Sequence, residues 1–235
     1  MMVQARTGDT SSAATARGRK SHLWRTAGLA WALTNLAGAA VGIFPAMISP
    51  AAEPAGPALP ALRVLAVVQV AFVLAVYPLI LARRYQRDGR AGWALRVGEA
   101  VLWLVVAAPF VAACGYLSDA TVIDVVRTEL VTVAAFPAAW ALSALIARGR
   151  TGAGAAVLAI VCLVLGHPTA LYLAQEFLPG GAPSWLWHAG PVLLAWSSAA
   201  VRQESPVPLP LWAWLWPIAA AVAVLALCRR AARHK

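Results

Sequence analysis

The chain has 235 residues, of which 61% are hydrophobic and only 12% charged, with a mean hydropathy of +0.73 and a net charge of +10. A soluble domain of this size could not cover so much apolar surface with polar groups, so the composition excludes a soluble globular protein and places the chain in lipid. The positive charge does not point to nucleic acid, because it is confined to short segments between apolar runs, where it orients spans and contacts anionic lipid.

Several apolar runs reach the roughly 20 residues that a helix needs to cross a hydrocarbon core about 30 Å thick, and none alternates as a barrel strand would. The predicted fold is all-α, a polytopic membrane bundle of six transmembrane helices plus a re-entrant or interfacial hairpin before the last. Residues 1–22 are polar, small and basic and read as a cytoplasmic tail. The single transmembrane domain is 23–228, with spans at about 23–48, 62–82, 93–117, 120–147, 153–178 and 209–228. Residues 229–235 form a second basic cytoplasmic tail.

In the first span Trp24 and Arg25 stand where an interfacial anchor belongs, and Gly38 with Gly42 makes a GxxxG step that would let a neighbouring helix approach closely. Asn35 lies inside this span, as Gln69 does in the second, and each needs an internal partner, which turns those faces toward the bundle interior. A turn rich in proline and alanine, 50–60, joins the two spans, and Pro78 stands near the end of the second.

The segment RRYQRDGRAGWALR, Arg83 to Arg96, holds five arginines and is the clearest orientation signal in the chain. Glu99 sits one turn beyond Arg96, which predicts an i,i+3 ion pair in preference to a proton-carrying carboxylate. Ser118 and Asp119 are the expected caps of the fourth span, and Asp124, Arg127 and Glu129 are expected to stay hydrated where its first turns project into the outer interface. Pro137 predicts a kink in that span. Arg148 and Arg150, in an RGRTG turn, return the chain to the cytoplasmic side, and the fifth span contains His167 followed by Pro168.

The stretch 185–201 is apolar but short, holds Pro191 and is bounded by prolines and glycines. If it is re-entrant, the cytoplasmic side carries 16 lysines and arginines: five through Arg25, five between spans two and three, two in the RGRTG turn and four at the C-terminus. Three, Arg63, Arg127 and Arg202, are then outside. If it crosses, the distribution is 13 against 6. Six spans fit the positive-inside rule better, with seven remaining as the alternative, and six leave both termini cytoplasmic in a plasma (bacterial inner) membrane.

There is no phosphate loop, no HExxH, no GxSxG and no Cys/His cluster, so no catalytic residue, metal ligand or enzyme activity is expected. No cofactor is expected either, although His167 and His188 are the pair that would ligate a haem if the hairpin folded back on span five. Six spans with a basic loop between the second and third, together with LWHAGPVLLAWSSAAVR before the last, resemble the membrane subunits of ABC-2 type transporters, with Pro191 matching that family's proline and Arg202 its following basic residue. The resemblance implies a permease that dimerises, binds a separate ATP-binding subunit and moves a hydrophobic or amphipathic substrate. It implies a coupling loop of Arg83, Arg84, Tyr85, Asp88 and Arg90, and an outer gate hairpin with Trp185, Trp187, His188, Pro191 and Trp196. Topology alone would equally suit a non-catalytic membrane subunit or anchor of a respiratory or other multi-protein complex.

Overall fold

The computed structural model describes residues 26–44, 61–88, 93–177, 190–199 and 222, with the side chains of 87, 88, 93 and 94 excepted. Among them every regular element is helical: α1 (Thr26–Phe44), α2 (Ala61–Ala71), α3 (Tyr77–Asp88), α4 (Trp93–Leu117), α5 (Val122–Ile146), α6 (Arg150–Val161), α7 (His167–Phe177) and α8 (Pro191–Ser198). Two π-helical segments, Phe72–Val76 and Cys162–Gly166, join α2 to α3 and α6 to α7. Five continuous stretches are long and apolar enough to cross a membrane: Thr26–Phe44, Ala61–Gln86, Leu95–Leu117, Val122–Ile146 and Arg150–Phe177. These are the first five predicted spans. The sixth, 209–228, lies outside the described residues apart from position 222, as do the 50–60 turn and positions 185–189 and 200–201 of the hairpin.

Contacts between named residues fix the helix directions. Gly42 meets Ala61, Gly38 meets Leu65, Asn35 meets Gln69 and Trp31 meets Phe72, so numbers rise on one helix as they fall on the other. α1 and α2 are therefore antiparallel. The same test makes α4 antiparallel to α2 and α3, through Leu62 with Ser118, Tyr77 with Trp103, and Arg84 with Glu99. α5 runs parallel to α2, through Gln69 with Thr132 and Tyr77 with Phe136. One end of the bundle thus gathers Arg83, Arg84, Arg96 and Arg148, and is called here the basic end. The second and fourth spans are the centre, with 56% of their most apolar windows buried, whereas the fifth is peripheral at 11%.

Both π segments have the same cause. Pro78 and Pro168 each follow the segment by two residues, and a proline lacks an N–H and crowds the carbonyl four positions back, here Leu74 and Val164 at the segment centres. The helix widens instead of breaking, and the N–H groups of Tyr77 and His167 donate five residues back, to the carbonyls of Phe72 and Cys162. α4 and α5 remain single helices through Pro109 and Pro137.

Two glycines are required by geometry. Gly149, between α5 and α6, has φ of +107°, which a side chain would strain. At Gly42 a Cβ would stand 2.6 Å from the Ala61 Cα, so the glycine allows the two backbones to touch.

The cap of α5 corrects the expectation of Ser118 and Asp119. Thr121 is the N-cap: its hydroxyl accepts from the Asp124 N–H at 3.3 Å while the Asp124 carboxylate accepts from the Thr121 N–H at 2.9 Å, a closed capping box. Ser118 instead accepts from the Leu62 N–H at 3.1 Å, tying the α4–α5 turn to the start of α2, and Asp119 takes a φ of 50° in that turn.

Candidate functional site

In lipid there is no solvent to drive helices together, so packing and interhelical hydrogen bonds hold the bundle. Both are concentrated in a polar and aromatic column through its centre.

The middle of the column is a hydrogen-bonded chain across three spans. Gln69 Nε2 donates to Asn35 Oδ1 at 2.8 Å, Thr132 Oγ1 donates to Gln69 Oε1 at 3.3 Å, and Asn35 Nδ2 donates to the Trp31 carbonyl at 2.9 Å. Asn35, Gln69 and Thr132 are all fully buried. The expectation that Asn35 and Gln69 face inward is met, and each completes the other.

One turn from Thr132, toward the start of α5, Glu129 stands beside Gln69. Its Oε1 is buried and makes no hydrogen bond. Glu129 is therefore not fully hydrated as expected: half-buried two turns into α5, it stands beside Gln69 with Oε1 sealed from solvent.

On the basic side of this chain six aromatic rings interlock. Trp31 stacks on Trp103 at 5.4 Å between centroids, Phe72 and Tyr77 tilt against Trp103 at 5.7 and 4.6 Å, and Phe136 stands edge-on to Tyr77 at 5.6 Å and leads to Trp140. The Trp31 indole N–H is satisfied by the Trp103 carbonyl at 2.7 Å. Each such pair adds about 0.5–1.5 kcal/mol beyond packing, so this cluster is a rigid plug joining α1 to α5.

Beyond the plug lies the only ion pair among the described residues. Arg84 Nη1 approaches the two Glu99 oxygens at 3.3 and 3.2 Å, with Glu99 5% exposed. This corrects the predicted Arg96–Glu99 pair. Arg96 instead lies over the Tyr85 ring at 4.8 Å, a cation–π contact, which leaves Glu99 to the arginine of the facing helix. The Tyr77 hydroxyl, buried and without a hydrogen bond of its own, sits beside Glu99 and Trp140.

The remaining predicted residues are dispersed. Arg83 is exposed at the end of α3, Tyr85 is buried next to Ser143, Asp88 is the last residue of α3 with its side chain outside the described residues, and Arg90 lies outside them altogether. The proposed coupling loop is thus largely helix: Arg83–Asp88 belongs to α3 and Trp93–Arg96 to α4.

Of the gate residues, Trp185, Trp187 and His188 lie outside the described residues. Pro191 is the buried first residue of α8, and Trp196 receives the Arg63 guanidinium at 5.4 Å. α8 packs on α2 and α5 through Leu194 and Ala195. The backbone at Gly190 is pressed against the His167 imidazole, so that a methyl group there would overlap the ring.

No group of three or more His, Cys, Asp or Glu side chains fit to hold a metal occurs among the described residues. No family model matches the chain. Nor does any curated protein or solved structure.

Sequence reasoning missed Trp31, Tyr77, Trp103, Phe136 and Thr132, and gave Glu129 a hydrated place at the interface. One signal was available: Trp31 and Trp103 stand within their spans rather than at the edges, and a buried indole must find an internal acceptor.

Proposed function

We propose that the chain is the membrane-spanning permease subunit of an ABC-type transporter, moving a hydrophobic or amphipathic substrate with energy from a separate ATP-binding subunit. The observation that carries this is the Arg84–Glu99 pair. The basic segment begins as the last turns of α3, and one of its arginines is locked into α4 while Arg83 stays exposed for a partner. A push on the basic end is then transmitted to two spans together, and through Tyr77 and the aromatic plug to α1 and α5.

The 16 to 3 distribution of cations supports a cytoplasmic basic end and cytoplasmic termini in a plasma membrane. α8 has eight residues, roughly 12 Å of helix, well short of the hydrocarbon core, which supports a re-entrant segment before a sixth span at 209–228. The exposed apolar residues of α6, α7 and the π segment between them, among them Leu158, Leu165 and Phe177, offer the face for a second subunit of a dimer.

Purification of the tagged chain from native membranes in mild detergent tests the proposal. Recovery of a stoichiometric ATP-binding subunit is expected, and loss of that subunit in Arg83→Ala. Recovery without one overturns it, and a redox subunit in its place would make the chain a membrane component of a respiratory complex. A cysteine at Ser205, probed from outside intact cells with a membrane-impermeant thiol reagent, tests the topology: labelling is expected, and protection would restore a seventh span.

A further inference from the structure

The acidic side chains within the described spans fall into two groups. Glu99 is paired with Arg84, Asp124 is held in the capping box, and Glu176 is exposed in the last turn of α7. Glu129 has none of these outlets. It stands seven residues beyond Val122, roughly 10 Å along α5, and its Oε1 is buried without a hydrogen bond.

The groups around it are already committed. Gln69 donates one amide proton to Asn35 and accepts from Thr132, so its amide is spent on the chain beside Glu129. Glu129 Oε1 is left buried without a donor. A metal ion would need several oxygens converging on that point, whereas a proton needs only the one that is free.

No charged side chain of the packed helices pairs with it among the described residues. Neither α1 nor α8 carries an ionisable group. On α2, Arg63 is laid over Trp196, and on α5 itself Asp124 is capped while Arg127 makes no ion pair. The charges of α3 and α4, Arg83, Arg84, Arg96 and Glu99 with Tyr77 and Tyr85, lie beyond the aromatic plug. Cys114 and Tyr116 lie toward the other end of α4, and Arg150 opens α6 at the basic end.

We propose that Glu129 is a proton-binding site of the membrane domain, with Oε1 as the oxygen that takes and returns the proton. The carboxylate gains H+ from water at the end of the bundle where α5 begins and gives it back to water there, so no electron or other atom is transferred. Protonation removes a charge from beside Gln69, at the chain that links α1, α2 and α5, and so changes what holds those three spans together. The inference requires only that α5 crosses the membrane. It stands or falls separately from the ATP-binding partner proposed above.

The test uses the full chain in native membranes and two carbodiimides. The apolar reagent dicyclohexylcarbodiimide adds to a protonated carboxyl in an apolar setting and leaves a stable adduct, which peptide mass spectrometry locates. An adduct at Glu129 is expected, forming faster at acid than at alkaline pH, absent in Glu129→Gln and absent with a water-soluble carbodiimide. No adduct at Glu129, a rate indifferent to pH, or equal modification by the water-soluble reagent would overturn the proposal, the last because it would mean a hydrated carboxylate. The wild-type chain alone decides between these outcomes, so a folding failure of the variant does not leave the question open.

Discussion

Gln69→Leu is the most informative single change, because leucine keeps the bulk of the side chain while deleting the hydrogen bonds to Asn35 at 2.8 Å and from Thr132 at 3.3 Å. Interhelical hydrogen bonds in membranes contribute about 0.6–2 kcal/mol each. Asn35 Oδ1 would also be stranded in a fully buried position, and a buried group without a partner costs about 1–3 kcal/mol. Asn35 keeps its bond to the Trp31 carbonyl, so the loss is partial. The expected destabilisation is about 2–4 kcal/mol, roughly a 30- to 1,000-fold change in the unfolding equilibrium. Reversible unfolding in mixed micelles with a denaturing detergent, followed by tryptophan fluorescence, would measure it, since Trp31 and Trp103 report on the same interface. Asn35→Leu and the double variant complete a cycle. The double variant should cost about 1 kcal/mol less than the sum of the singles, because neither amide of the Asn35–Gln69 pair is then left without the other, and the loss of the acceptor for Thr132 is common to both Gln69 variants. A shift below about 0.5 kcal/mol for Gln69→Leu, or additivity within that error, would refute the role given to the polar chain.

Three further outcomes follow from local geometry. Gly42→Ala places a methyl against the Ala61 backbone and should cost about 1–3 kcal/mol, whereas Gly38→Ala meets only side-chain atoms of Leu65 and Val68 at 3.3 Å and should cost less than half as much in the same unfolding assay. Arg84→Met strands a buried carboxylate and should destabilise by about 3–5 kcal/mol, while Arg84→Met combined with Glu99→Met should recover most of that in thermal unfolding; equal losses in both would mean that the pair is not the unit. Thr121→Ala opens the capping box and should lower stability by about 1 kcal/mol, with faster amide hydrogen exchange confined to the first turn of α5.

The spans were legible because a helix in lipid must satisfy its own backbone and present apolar side chains along its length, and both demands are written locally. Gly38 with Gly42 was readable for the same reason, since close approach needs small residues at fixed spacing, as was the need of Asn35 and Gln69 for partners. The pairings were not. Glu99 has arginines at both Arg96 and Arg84, and sequence spacing favours the near one. The choice of Arg84 depends on the antiparallel register of α3 and α4 and on the Tyr85 ring, which takes Arg96.

Glu129 shows the same division. Composition and spacing establish that it lies two turns into a membrane span, and no local pattern says which way a residue there faces. Whether its carboxylate turns to the headgroups or toward Gln69 is decided by the rotation of α5 against α2, which is set by how Thr132, Phe136 and Trp140 pack on the helices around them. By itself, then, the sequence determined that this is a helical, multi-pass membrane chain, because length and polarity act residue by residue. Which polar groups meet inside it was decided only by the tertiary structure, because helix rotation and register are properties of pairs of spans.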